Sequence, residues 1–318
     1  MRLFQNVNID FLGKRKKFYL VSIIIIISGI GALFIKGIPL GIDFLGGTEV
    51  QVRFQNDINV SELRDVMAGA GFPGMEIKTM GTDKDVLLRT PLQEEGQVVA
   101  ERIQTAITSG ISGNSFEVLR TDKVGPKIGE ELRRNALFAI IFSLVGILIY
   151  LSLRFQFIYA IGAVAALFHD VLITISAIAI CNAILPLRLE FDQPMLAAFL
   201  TLIGFSVNDT VVIFDRIREN IKLYKNEDIE TVMNKSVNAT LSRTLITSGT
   251  VFLTVFVIFF FGGEVLRGFS FTFMVGIITG TYSSIFVASA VVVDWKHKLD
   301  KSKLEAKRNQ RLSASKAK

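Results

Sequence analysis

The sequence predicts an α-helical polytopic membrane protein with one water-exposed α+β insertion, and three observations predict it. Half of the 318 residues are hydrophobic and the mean hydropathy is +0.47, too apolar for a soluble domain of this size. Uncharged runs of spanning length recur along the chain, where a crossing needs about 20 mainly apolar residues for ~30 Å of hydrocarbon. Between the first and second of these runs lies a block in which continuous apolarity gives way to alternation and amphipathic spacing.

Residues 1–17 read as a cytosolic basic N-terminus ending in Lys14-Arg15-Lys16-Lys17, and 18–36 as the first span. The apolar run is longer than the core of a signal peptide. It is followed by Lys36-Gly37-Ile38-Pro39 instead of a small-x-small cleavage site, so it is expected to stay as an anchor. The basic cluster holds that end inside, and the chain emerges outside.

The block 37–134 is then extracytoplasmic. Glu49 to Phe54 alternates as a strand, and Val60 to Ala70 reads as a helix with Ser61 as its cap. Glu76 to Met80 and Val86 to Arg89 read as strands around the turn residues Gly81 and Asp83. Gln97 to Thr108 has helical spacing, and Ser115 to Leu119 makes the last strand. The order β-α-β-β-α-β predicts a ferredoxin-like domain. Val124-Gly125-Pro126 reads as a rigid turn leading into the second span.

Spans two to six are expected at 135–153, 155–185, 193–214, 243–263 and 268–293, with a cytosolic loop at 215–242 and a basic cytosolic tail at 294–318. The net charge of +6 concentrates in segments flanking the spans, which marks topology and contact with membrane lipid and argues against nucleic acid. Six crossings return both termini to the cytosol.

Asp209 is the only ionisable residue between Gln193 and Phe214. A mid-membrane Asp costs roughly 2.5 to 3.5 kcal/mol on insertion scales, so it is expected to face protein or a wet pathway and to have a partner. The nearest cation by depth is Arg243. Arg243, Thr247, Thr250 and Thr254 follow helical spacing, so one face of span five carries a polar ladder. The alternative is that Arg243 snorkels to headgroups and the threonines bond back to their own helix. Asp170, with Gly162, Ala166 and Thr174 on its face of span three, is a second acid for an ion pathway or for a structural hydrogen bond, while its neighbour His169 reads as structural. Gly276, Gly280, Ser284 and Ala288 form a small-residue stripe suited to helix packing. With two histidines and one cysteine, no metal site is expected, and no nucleophile and base or nucleotide-binding loop is present, so no catalytic residues are assigned.

Taken together, Gly41-Ile42-Asp43-Phe44-Leu45-Gly46-Gly47, Val124-Gly125-Pro126, Gly204 to Asn220, Leu241 to Thr250 and Gly280 to Ser289 resemble the SecF family, within the wider resistance-nodulation-division superfamily. The resemblance implies a bacterial inner-membrane subunit that pairs with a SecD-like subunit beside the SecYEG channel, with YajC and YidC as further neighbours. It implies use of the proton-motive force to help draw a preprotein outward, with H+ as coupling ion, Na+ as the alternative and no cofactor. It links Asp209 and Arg243 to proton transport, gives Asp215 and Arg216 a structural or gating role at the helix end, and places Asp43 at the root of the outer domain. A self-contained ion-coupled exporter of small molecules and a purely structural membrane subunit stand as the alternatives.

Overall fold

The computed structural model describes residues 8–80, 82–91, 98–185, 187 and 189–316. Gly81 and Gln97, read above as a turn residue and a helix start, lie outside them.

Six described helices are long and apolar enough to cross a membrane. Helix α1 (Arg15–Lys36) follows a single 3-10 turn, Leu12–Lys14. Helices α5 (Pro126–Arg154), α6 (Phe157–Ile184), α7 (Gln193–Leu223) and α8 (Ile229–Phe261) follow the α+β part. The sixth crossing is α9 (Gly263–Ser283), one π-helical turn (Ser284–Ala288) and the start of α10 (Ser289–Lys316). The segment 215–242 is helical except for Tyr224–Asp228, because α7 and α8 both run well past their apolar stretches. Asp192 caps α7 by accepting from the Met195 N–H, and Asp228 caps α8 by accepting from Glu230 N–H. The crossings differ in enclosure: the sixth is mostly buried within the chain, whereas α1 and α5 expose most of their apolar side chains.

Packing at the centre depends on small residues. A Cβ at Gly276 would stand 2.5 Å from the Leu202 side chain, and one at Gly280 would stand 3.0 Å from Ser206 Cβ, so α9 lies close on α7 there. A Cβ at Gly162 would meet the Ala288 carbonyl at 2.9 Å, which brings α6 against the π turn.

Between α1 and α5 stands the α+β part. It runs from the short helix α2 (Ile42–Leu45) through β1 (Gly47–Phe54), α3 (Val60–Gly69), β2 (Glu76–Met80), β3 (Thr82–Thr90), α4 (Val98–Gly110) and β4 (Phe116–Val124). The sheet order is β2-β3-β1-β4 and every neighbouring pair is antiparallel. Val50, Val52 and Phe54 point to one face, where Leu63 and Met67 of α3 and Ile103 and Ile107 of α4 cover them. Three local readings differ from the sequence. Asn59, not Ser61, caps α3, its side chain accepting the Ser61 N–H. Strand β3 starts at Thr82, and β4 runs to Val124. Both extensions are polar and pair with a neighbouring strand, so their alternation carries no hydrophobic signal.

The domain is rooted on α7. Gly41 N–H donates to the Phe191 carbonyl and Phe191 N–H to the Pro39 carbonyl, each at 2.7 Å, forming a short parallel bridge. Gly46 and Gly47 have φ of 78° and 139°, and a Cβ on Gly47 would meet the Thr90 carbonyl at 2.6 Å, so side-chain-free residues are needed where the chain turns into β1.

Candidate functional site: a polar seam inside the helix bundle

Asp209 sits on the buried face of α7, in line with Leu202, Ser206 and Ile213. Its carboxylate Oδ2 accepts a hydrogen bond from Ser248 Oγ of α8 at 3.0 Å. Arg243 is exposed and forms no ion pair with Asp209, although its charge still attracts the carboxylate through space. Thr247 is not brought to Asp209: Thr247 Oγ1 donates to the Arg243 carbonyl, Thr250 to Thr247 and Thr254 to Thr250, all within α8. Successive helical residues stand about 100° apart, so the face that meets α7 is the one carrying Ser248.

That inner face is itself a polar stripe the sequence reading missed. Ser236, Thr240, Thr244 and Ser248, spaced every four residues, are all buried. Ser236 Oγ accepts from Asn220 Nδ2 of α7 at 2.8 Å. Thr244 Oγ1 has no partner among the described residues. The i, i+4 recurrence of hydroxyls was the available signal, and it ran alongside the ladder that begins at Arg243.

Around Asp170 the helices converge. Oδ2 accepts from Ser206 Oγ of α7 at 2.7 Å and from Ser283 Oγ of α9 at 2.9 Å. Oδ1 lies 3.1 Å from His169 Nδ1. His169 Nε2 lies 2.9 Å from Ser22 Oγ of α1 and 2.7 Å from the Tyr282 hydroxyl of α9, and those two hydroxyls also touch each other. On the same seam Thr210 of α7 bonds Ser284 of the π turn at 2.8 Å. His169, read as structural from the sequence, thus closes a network linking four helices.

Asp43, Asp215 and Arg216 sit at the membrane edges. Asp43 Oδ2 accepts the Gln193 N–H at 2.9 Å, so it caps α7 beside Asp192. Asp215 pairs with Arg154 at 3.0 Å, tying the C-terminal half of α7 to the α5–α6 turn, and Arg216 pairs with Glu219 within its own helix at 2.9 Å. At the opposite end of the bundle, the sheet face without helices meets the α6–α7 loop across a cleft of about 390 Å3. There Glu190 bonds both Lys78 and Arg89 at 2.5 Å, and Arg89 also pairs with Glu49 at 2.6 Å. Burial pushes the Glu190 carboxyl up, but the charges of Arg89 and Lys78 outweigh it and hold it below the usual range. At Asp192 burial, with Asp43 and Glu190 nearby, pushes the pKa up to about 6 against the pull of its helix N–H bonds.

The family model of the protein export membrane protein SecD/SecF, C-terminal, matches residues 103–298, and that of the SecD/SecF GG motif matches residues 31–58. The chain is 45% identical over 294 residues to the protein translocase subunit SecF of Rhodothermus marinus, covering 92% of this chain and 95% of that one. The chain belongs to the SecF family. Its similarity to the SecF subunit of Calditerrivibrio nitroreducens is 42% over 293 residues, covering 90% of this chain and 93% of that one. Among solved structures, the crystal structure of SecDF from Thermus thermophilus, a translocon-associated membrane protein, matches with a TM-score of 0.80 and 37% identity, covering 92% of this chain. The SecF-family chain spans 39% of that longer protein. SecDF in its super-membrane-facing form matches at 0.69 and 35% identity, covering 96% of this chain and 41% of that one.

Proposed function

We propose that this SecF-family chain is the smaller subunit of a SecDF-type accessory complex in the bacterial inner membrane, which uses the proton-motive force to promote protein translocation through SecYEG. The observation that carries the coupling is a carboxylate, Asp209, buried between two membrane-spanning helices and held by a neutral hydroxyl, with Arg243 on the same partner helix. Protonated, Asp209 keeps its Ser248 bond; ionised, it draws Arg243 inward and shifts α8 against α7. A proton entering and leaving thus biases two arrangements of the helices. H+ is the coupling ion in this reading, with Na+ the alternative.

A second polypeptide fits the outer face of α8. Arg243, Thr250 and Thr254 are exposed on a helix that must lie in lipid, which favours a SecD-like subunit covering them. In this reading both termini are cytosolic and residues 37–134 lie outside, as the basic flanks of the first span favour. The β-α-β-β-α-β order with sheet order β2-β3-β1-β4 supports a ferredoxin-like outer domain, standing where an emerging preprotein would pass. YajC and YidC are further neighbours, and no cofactor is required.

The test is export into proteoliposomes containing SecYEG, its ATP-driven motor and a SecD-like subunit, with and without this chain. Late export should respond to an imposed proton gradient only with the chain present. Equal response in its absence contradicts the proposal.

A further inference from the structure

The proton-coupling reading needs only Asp209, yet the most connected polar group in the bundle is elsewhere. We propose that His169 and Asp170 form a second proton-holding site, which reports its occupancy to α1 through Ser22 and to α9 through Tyr282. This inference rests on the proton-coupled reading above and adds a site to it.

The geometry is that of a built acceptor. The Asp170 and His169 side chains are 1% and 10% exposed. Consecutive residues of α6 face consecutive residues of α9: His169 meets Tyr282, and Asp170 meets Ser283. With His169 neutral, Nδ1–H donates to Asp170 Oδ1 and Nε2 accepts from the Tyr282 hydroxyl. A proton arriving at Nε2 needs a new acceptor there, and Ser22 supplies it. Ser22 Oγ donates its own hydrogen to the Phe18 carbonyl at 3.0 Å, so its lone pairs are open toward His169 and Tyr282. Nε2–H then donates to Ser22 Oγ, and the Tyr282 hydroxyl turns to the same oxygen. The resulting imidazolium stays beside the Asp170 carboxylate, so the pair remains neutral overall. Donors turn and no hydrogen bond of Asp170 is lost.

Few other charges compete. Between Lys17 and Lys36 on α1, and between Arg134 and Arg154 on α5, there is no charged residue; Tyr19 and Tyr150 are the titratable groups there. On α6 itself Tyr159 and Cys181 lie well over two turns away. From α9 and the π turn Tyr282 is the titratable group at this depth, Glu264 and Arg267 lying at the far end of α9, and from α10 Lys296 reaches Tyr159 while Asp294 pairs with Arg15. From α7 the sole ionisable group at this depth is Asp209, three residues beyond Ser206, or about 4.5 Å along the axis. The Asp170 bond to Ser206 and the Asp209 bond to Ser248 therefore share one turn of α7. The π turn that starts at Ser284 is the kind of helix irregularity frequent at functional sites.

The chain has two histidines, His169 and His297. In full-length chain carrying His297→Gln in lipid bilayers, nitrogen-15 NMR reads His169 alone. Imidazolium is expected to appear within the range of about pH 5 to 9, and Asp170→Asn is expected to reduce its population. A His169 that keeps one neutral tautomer from pH 5 to 9 overturns the proposal. In the assembled complex, His169→Gln is expected to flatten the pH profile of gradient-driven export. An unmoved profile in His169→Gln, alongside loss of coupling in Asp209→Asn, overturns the second site and leaves the coupling reading standing; retained coupling in Asp209→Asn removes that reading, and the NMR titration still judges His169.

Discussion

Ser248, on the inner face of α8, holds the Asp209 carboxylate at 3.0 Å, while Arg243, five residues earlier on the same helix, stays outside the contact. A buried carboxylate with one neutral donor is a poised group: a small change in its surroundings decides whether it carries a proton. Ser248→Ala removes that donor and leaves the carboxylate unsatisfied, at a cost of about 1 to 3 kcal/mol. Thermal unfolding in detergent should show the loss, and Ser248→Thr, which keeps the hydroxyl, should restore most of it.

The contact of α7 with α9 sets where those groups meet. Gly276→Val places new atoms where Leu202 already stands at 2.5 Å from an ideal Cβ. Overpacking of this kind costs about 1 to 3 kcal/mol. Gly146→Ala is the control, because a Cβ there meets nothing within 4 Å. Unfolding midpoints should fall for the first variant and hold for the second.

Glu190 clamps the outer domain to the α6–α7 loop through Lys78 and Arg89. Glu190→Ala removes the carboxylate that reaches Lys78 and Arg89 from the α6–α7 loop and leaves them to Glu76 and Glu49 on the sheet. Because the cleft is open to water, the expected loss is on the order of 2 kcal/mol, below the ~3 to 5 kcal/mol of a fully buried pair. Faster protease cleavage near the domain root, with the helices still folded, is the readout.

Asp192 gives the outer root a pH dependence of known sign. Its folded-state pKa of about 6 stands above the ordinary 3.8, so the folded chain holds the proton more tightly than the unfolded one. Its contribution therefore favours the fold increasingly as pH falls from above 6 toward 4. Glu190, shifted the other way, stays ionised through the upper part of that window and adds nothing there. Asp192→Asn keeps the helix cap and removes the titration. The stability of the parent chain relative to this variant should rise between pH 7 and pH 4.5; a difference that does not change with pH rejects the assignment.

The six crossings and the order of the outer domain were legible because hydrophobic length and alternation are local properties. So was Asp209 as a buried acid, since an acid within an apolar run is visible without a partner. Its contacts were harder. Arg243 was the natural choice by charge and depth, but which face of α8 meets α7 is a matter of rotation, and the hydroxyl stripe from Ser236 to Ser248 lies one residue away from the ladder containing Thr247. The partners of His169 were hidden for the same reason: Ser22 and Tyr282 are 147 and 113 residues away in sequence, and neither carries a charge that would draw attention. The cap on α3 shows the problem at small scale, with Asn59 and Ser61 two residues apart and equally suited by type.

The most direct measurement is gradient-driven export by the assembled complex carrying Asp209→Asn, an isosteric change that keeps an acceptor for Ser248 and cannot release a proton. The account predicts a complex that assembles and unfolds like the parent, with the ATP-driven phase intact and the response to the proton gradient lost. A full response to the gradient would contradict it.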